Sequence, residues 1–376
     1  MKITIPRDIL FAAMEVCYRS VPPKNTTPTY YQTHIRAKGC VVYLTCAGAD
    51  ASICAIADGA RIESPRETLV DSQMFYDVLS KMPCDILSID VTDAGMVMDD
   101  GIRTLRLPVM KPQAYPSVEG ADDGKPSVTL KVEDFRRLIE STAYATVETE
   151  SSPLFGAIRL MLEDGKMVAT GIDRTRMAVA KCVPQTIAAE QMDVFIPAKV
   201  LLNVARALPA KEACTITLDG NNAVVSSSMY TLRLSTLTGS LPTYSAIIKN
   251  CRDGKTVSVH KDSLAQALAR AYLFYDEHNK HPVNIAFRKG GMTIEYWGSA
   301  LGEMKENINA DYNGETVESN YSLRFLRDAL RHLDSDAVDI NLFGKLDPCL
   351  ITIPDNGDYI AMLASVQDGR ERRKSG

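Results

Sequence analysis

The chain holds one tryptophan and five histidines in 376 residues, and none of its nine cysteines stands in a C-x-x-C pair. Cys17, Cys40, Cys46, Cys54, Cys84, Cys182, Cys214, Cys251 and Cys349 are odd in number and scattered. That pattern argues against a disulfide framework or a cysteine-held zinc, and for reduced thiols packing as small apolar side chains. No run approaches the roughly 18 to 20 apolar residues that a bilayer-spanning helix needs, and the opening MKITIPRD lacks the apolar core of a signal peptide. A cytoplasmic protein with no membrane contact is expected.

Catalytic signatures are missing as well: there is no G-x-x-x-x-G-K-[ST], no G-x-G-x-x-G after a strand, no G-x-S-x-G and no H-E-x-x-H. The densest polar cluster, DEHNKH, could gather Asp276, Glu277, His278 and His281 around a metal, but it closes a helical segment and reads as a polar loop. Asp93, Asp99 and Asp100 fall in VTDAGM and MVMDDGIR, whose Asp-Ala-Gly and Asp-Gly runs are turns between short strands. A non-enzyme is expected, with no catalytic residue, metal or cofactor.

What is present describes an ordinary globular protein, with 45% apolar and 24% charged residues in a length that suits two or three domains. A net charge of −5 argues against a protein that coats nucleic acid by bulk charge, yet it leaves room for a basic strip on an acidic body.

The informative feature is an internal repeat. ITIPRDILFAAMEVCYRS from Ile3, LKVEDFRRLIESTAYATV from Leu130 and VSVHKDSLAQALARAYLF from Val257 each read as an alternating strand feeding an amphipathic helix. Ile5, Val132 and Val259 stand 127 residues apart at each step. A second strand-to-helix unit recurs inside each copy, in LVDSQMFYDVLSKMP, FIPAKVLLNVARALP and ESNYSLRFLRDALRHL, each followed by alternating segments with hairpin punctuation. EGADDGKPS at 119–127 and KNCRDGK at 249–255 carry no apolar period and separate the copies.

The helices divide their faces. Phe325, Leu326, Ala329, Leu330 and Leu333 form an apolar stripe, while Arg324, Arg327 and Arg331, spaced i, i+3, i+7, occupy another side. The middle copy sets Val200, Leu201, Val204, Ala205 and Leu208 against Lys199 and Arg206, and its first helix carries Arg136 and Arg137. One face packs on a sheet and the other offers cations.

Three paired-half domains with helices basic on one side resemble the bacterial β sliding clamp family, over residues 1 to about 366. Local likeness lies in the opening MKITI, in MVATGIDRTRMAVAKC, in TLRLSTLTGSLPTYSAII and in the final DYIAMLA. The resemblance implies an α+β fold of three repeated clamp domains, each of two strand-helix-strand halves, with helices lining the inside of a ring and sheets outside. The domains would be 1–122, 128–250 and 255–366, followed by a basic, solvated tail at 367–376. It further implies a processivity factor that encircles double-stranded DNA without reading its sequence. Such a factor tethers the replicative polymerase and clamp-loader subunits through short linear motifs. A specialised clamp-like interaction protein, binding clamp partners without being the main replication clamp, is the alternative.

A duplex carries one phosphate charge per about 1.7 Å of axis, so inner cations hold it without base contacts. Lys24, Arg136, Arg137, Lys199, Arg206, Arg324, Arg327 and Arg331 are the candidates. The resemblance also implies one peptide-docking pocket, with Leu154, Ile172, Arg176, Met177, Pro242 and Ile247 from the second domain. Phe325, Leu346, Pro348, Ile360 and Met362 would come from the third. Arg174-Thr175 stands where the family has Gly-His, Ala246 where it has an Arg, and QDGRERRKSG extends the usual end. A homodimer is expected because an open arc leaves sheet edges at both ends, and the resemblance implies that the contact joins the end of the first domain near Leu105 to the first helix of the third near Leu273 and Phe274.

Overall fold

The computed structural model describes residues 1–19, 21, 28–112, 115–116, 118, 120, 124–147, 152–249, 251, 254–278, 280–298 and 301–367. Lys24, part of the 119–127 linker and the tail beyond Gln367 lie outside them.

The first repeat runs β1 (Lys2–Pro6), α1 (Arg7–Tyr18), β2 (Gln32–Lys38), β3 (Val41–Ala47), β4 (Ala51–Ala57), β5 (Arg61–Ser64), β6 (Glu67–Asp71), α2 (Ser72–Lys81), β7 (Ile86–Thr92), β8 (Gly95–Asp99), β9 (Thr104–Leu107) and β10 (Val109–Met110). The second runs β11 (Ser127–Lys131), α3 (Val132–Ala143), β12 (Ala157–Glu163), β13 (Lys166–Ile172), β14 (Arg176–Cys182), β15 (Thr186–Ala188), β16 (Asp193–Pro197), α4 (Ala198–Ala207), β17 (Ala213–Asp219), β18 (Asn222–Ser226), β19 (Tyr230–Ser235) and the short α5 (Tyr244–Ile248). The third runs β20 (Lys255–His260), α6 (Lys261–Ala271), β21 (Val283–Arg288), β22 (Gly291–Gly298), β23 (Gly302–Asn309), β24 (Val317–Tyr321), α7 (Leu323–Arg331), β25 (Ala337–Leu342), β26 (Cys349–Ile353) and β27 (Asn356–Leu363).

Each repeat opens on the expected alternating strand and helix, but the frame of the middle copy differs. Ile3 and Ile5, Val128 and Leu130, and Val257 and Val259 are the buried pairs of the opening strands, so Leu130 rather than Val132 matches Ile5. The helices keep this frame, with Leu10, Phe135 and Leu264 buried at the same turn. The even 127-residue step is therefore a coincidence. A shift of two residues returns every strand side chain to the same face, so an apolar alternation cannot distinguish the two frames.

Two of the three second helices, α2 and α7, start alike. The Asp71 carboxylate accepts from the Met74 amide and the Ser322 hydroxyl from the Phe325 amide, each satisfying an otherwise orphaned donor in the first turn.

All strand pairs among the described residues are antiparallel, in four sheets. A five-stranded sheet has the order β5-β1-β7-β8-β9, and a four-stranded one β23-β22-β21-β24. A ten-stranded sheet, β10-β6-β2-β3-β4-β19-β18-β17-β11-β15, crosses from the first repeat into the second with Ile53 opposite Leu232. An eight-stranded sheet, β16-β12-β13-β14-β27-β26-β25-β20, crosses from the second into the third with Ala178 opposite Ala361. β4 and β14 are equivalent strands of successive repeats, as are β19 and β27. The two crossings are the same seam made twice.

These crossings explain why the compact units number two. Met1–Phe135, Pro184–Met192 and Asn203–Thr236 form one unit, and Arg136–Val183, Asp193–Leu202 and the chain from Leu237 form the other. In the first, α1 packs on α2 and on β3 and β4 through Leu10, Ala13, Met14 and Cys17. In the second, α6 packs on α7, β22 and β23 through Leu264, Ala267, Leu268 and Ala271. All nine cysteines are thiols rather than disulfide halves, and six are buried, as the sequence predicts.

Candidate functional site

One face of the eight-stranded sheet carries an apolar cluster at the seam between β14 and β27. Alternation places Val168 and Ile172 of β13, Met177 and Val179 of β14, and Ile360 and Met362 of β27 on the same side. Helix α5 lies over one end of this surface, contributing Tyr244, Ile247 and Ile248. The Thr243 hydroxyl accepts from the Ala246 amide and fixes where α5 begins. Val168, Met177 and Val179 are buried, whereas Ile172, Ile247, Ile360 and Met362 remain half exposed. The outcome is an apolar surface with a finished floor and open walls, suited to the apolar anchors of a peptide.

The rim is polar and connected. The Tyr244 hydroxyl donates to Glu163 and accepts from Lys181 Nζ at 2.8 Å, with the Lys181 ammonium 4.7 Å from the Tyr244 ring centroid. Burial and the adjacent Glu163 carboxylate push the Tyr244 hydroxyl above the ordinary phenol range.

Of the eleven residues implied for the pocket, Ile172, Met177, Ile247, Ile360 and Met362 come together in this cluster. Arg176 and Phe325 are placed elsewhere. Arg176 precedes Met177 on β14 and so points to the opposite face, where its guanidinium lies 4.0 Å from the Phe325 ring centroid and pairs with Asp173 at 2.8 Å and Asp328 at 3.4 Å. It is buried and already holds two carboxylates, so it is not a spare cation for a peptide. Leu154 packs over Gly239, Pro242 and Leu346 are exposed, and Pro348 is half-buried; none of these four belongs to the cluster. Val168, Val179, Tyr244, Glu163 and Lys181 belong to the site without having been singled out. The alternation of KMVATGI and RMAVAKC was the available signal for the first two and for Lys181.

In the turn before Arg176, the Asp173 carboxylate accepts from the Thr175 amide at 2.7 Å, the Thr175 hydroxyl at 2.8 Å and the Arg176 amide at 2.9 Å. Thr175 is thus committed to the turn, and Arg174 is exposed. Four other acidic residues of the sequence clusters also serve turns or pairs. Asp99 accepts from the Gly101 amide at 2.7 Å, Asp100 from the Ile102 amide at 2.9 Å, and Asp276 from the His278 amide at 2.8 Å, while Asp93 pairs with Arg66.

On the helices, Arg137, Lys199, Arg206, Arg324 and Arg331 are exposed, and Arg136 and Arg327 half-buried. Arg327 lies 3.8 Å from the centroid of the Tyr272 ring. Leu105 sits on β9, the edge strand of its sheet, 38% exposed. Leu273 is 76% exposed, and Phe274 packs beside Gly298 and Gly302 at the end of β22 and the start of the edge strand β23.

Three repeated pairs of strand-helix-strand halves, with sheets crossing each repeat boundary, define a three-domain clamp. The chain belongs to the DNA polymerase III beta subunit family: the N-terminal domain matches at residues 1–119, the central domain at 129–243 and the C-terminal domain at 252–366. The "Beta sliding clamp" of Staphylococcus aureus is 23% identical over 379 residues, covering 96% of this chain and 98% of its own. The fold is that of the Bacillus subtilis DNA polymerase sliding clamp, with a TM-score of 0.92 at 22% identity over 98% of this chain and 99% of that one. The Thermotoga maritima DNA polymerase III beta subunit gives 0.86 at 17% identity over 97% and 99%.

Proposed function

We infer that this protein is a DNA sliding clamp: a homodimeric ring that encircles duplex DNA and tethers a replicative polymerase and clamp-loader subunits, with no catalytic role of its own and a place in the cytoplasm. The observation that carries the reading is the repeated seam. β4 joins β19 and β14 joins β27, which leaves their third equivalents, β23 and β9, as edge strands. An exposed edge is a template for another strand, and a second copy can supply β9 to β23 twice over, closing both ends.

The register of that third seam follows from the other two. Leu232 faces Ile53 and Ala361 faces Ala178, so Leu105 of one copy faces Met304 of the other, and Arg106 faces Glu303. Ile53, Leu232, Ala178 and Ala361 are all buried, whereas Leu105 is 38% exposed and Met304 half-exposed. Their burial is what the missing seam would complete. The cations of α4 and α7 support a hold on phosphates that ignores sequence. The apolar seam cluster supports docking of a short motif with apolar anchors, and no helix among the described residues is long and apolar enough to cross a membrane.

The decisive experiment loads the protein with a clamp loader onto a nicked circular plasmid and then linearises the DNA. A topological ring slides off the cut DNA, while retention on linear DNA would mean that contacts rather than encirclement hold it.

A further inference from the structure

The space between the paired helices is built differently in the first and third repeats. Between α1 and α2 it is filled by rings: Tyr76 lies 5.5 Å from Phe11 and 4.6 Å from Tyr18, centroid to centroid. Arg7 is spent on the Leu79 and Ser80 carbonyls at the end of α2. In the third repeat the equivalent positions hold Ala265 for Phe11, Ala269 for Glu15, Arg327 for Tyr76 and Arg331 for Ser80. The two alanines leave an open cleft of about 420 Å³ between α6 and α7.

Cations line that cleft. Arg324 and Arg331 are exposed, and Arg327 is held over the Tyr272 ring. None of the three has a carboxylate partner among the described residues. Lys261 donates to the Leu333 carbonyl, which anchors its ammonium at the same wall. The one acid there, Asp328, is engaged by Arg176 at 3.4 Å. Arg324 and Arg331 are seven residues apart, roughly 10 Å along the helix axis, so the row spans more than a point contact. The equivalent row on α4 reads Lys199, Leu202, Asn203 and Arg206, and on α2 Gln73, Tyr76, Asp77 and Ser80. Cations at these positions fall from three to two to none across the third, second and first repeats.

We propose that the α6–α7 cleft is the principal place where this chain grips the phosphodiester backbone, and that the α1–α2 pair takes no phosphate. The proposal rests on the sliding-clamp reading and adds a polarity to it: the duplex is held by the third domain first, the second domain next, and not by the helix pair of the first.

The test is the anisotropy of a fluorescein-labelled short linear duplex with the full-length protein over a series of salt concentrations. Each phosphate contact adds about 0.9 to the slope of log K against log salt, so Arg324→Gln/Arg331→Gln should lower the slope by about 1.8. At low salt this variant should also weaken binding more than Lys199→Gln/Arg206→Gln does. Lys81→Gln, an exposed cation of the α1–α2 pair, should leave the slope unchanged. Unchanged melting temperatures would show that the variants fold. Wild-type binding that is steeply salt-dependent while the α7 variant keeps its slope, or a Lys81 variant that loses as much, overturns the polarity alone. A wild type with no salt-dependent binding overturns the clamp reading and the proposal with it.

Discussion

Met177 and Met362 face each other across the β14–β27 seam, Met177 fully buried and Met362 half-exposed on the same apolar surface. The pair contributes both to the join between the second and third repeats and to the floor and wall of the apolar cluster proposed to dock a peptide. A peptide carrying a Gln followed by spaced Leu and Phe should bind there. Two buried anchors are worth roughly 3 to 6 kcal/mol before ordering costs, which corresponds to an affinity of about tens of micromolar at best. Met362→Asp puts an unpaired charge into the wall and should abolish binding while the melting temperature stays within a few degrees. Calorimetry on both proteins decides it, and equal affinities would move the partner site elsewhere.

The third seam predicts its own charge swap. Arg106 and Glu303 should lie opposite each other between two copies, so Arg106→Glu should shift the protein toward monomer in light scattering. Adding Glu303→Arg should restore the dimer, since opposite charges on directly facing strand positions stabilise and like charges destabilise. Charged residues at Leu273 and Phe274 should also give monomers. A wild type that is monomeric at micromolar concentration, or a double variant no better than the single one, would rule out this register.

Gly171 of β13 stands against α3 so closely that a Cβ would lie 2.1 Å from the Thr142 carbonyl oxygen. Backbone cannot step aside as a flexible side chain can, so Gly171→Ala should cost about 3 kcal/mol or more. Gly357, with nothing within 4 Å of its own Cβ position, is the control, and Gly357→Ala should be near neutral. Urea denaturation of the two variants compares them, and a tolerated Gly171→Ala would mean that helix and strand are less tightly joined than the structure has them.

His332 stacks on Tyr144 with ring centroids 5.3 Å apart, and burial, followed by the nearby Arg331, lowers its pKa despite the opposing pull of Glu140 and Asp328. A base whose pKa is lower folded than unfolded leaves the unfolded chain binding more protons as the pH falls. Its penalty is therefore absent above the ordinary histidine range and grows as pH drops from about 6.5. His332→Phe keeps the stack and loses the proton, so its melting temperature should fall less than that of wild type between about pH 7 and 5. Parallel curves would assign the acid sensitivity to other groups, His34 among them, whose pKa burial also lowers.

Much of this was legible in the residues. The recurrence of strand and helix was visible because burial of one face imposes a period on each element, and Ile172, Met177, Ile360 and Met362 were identified through local motifs. The frame of the middle copy was not, because Leu130 and Val132 are both apolar and both buried. Nor was the commitment of Arg176, which depends on Asp328, a residue 152 positions away. Tyr244 was hidden for a similar reason: its hydroxyl is accommodated by Glu163 and Lys181, which only the hairpins bring beside it.

The seam has a consequence for valency. At the position where the second crossing sets Met177 against Met362, the first sets Ser52 against Arg233, and the third would set Glu303 against Arg106. One backbone arrangement thus carries an apolar pair, a polar pair and an ion pair. Only the apolar version suits the apolar anchors of a peptide, so on the sliding-clamp reading proposed above each chain should offer a single port and a closed pair two. Titration with a motif peptide should saturate at one equivalent per chain, although each chain contains three repeats.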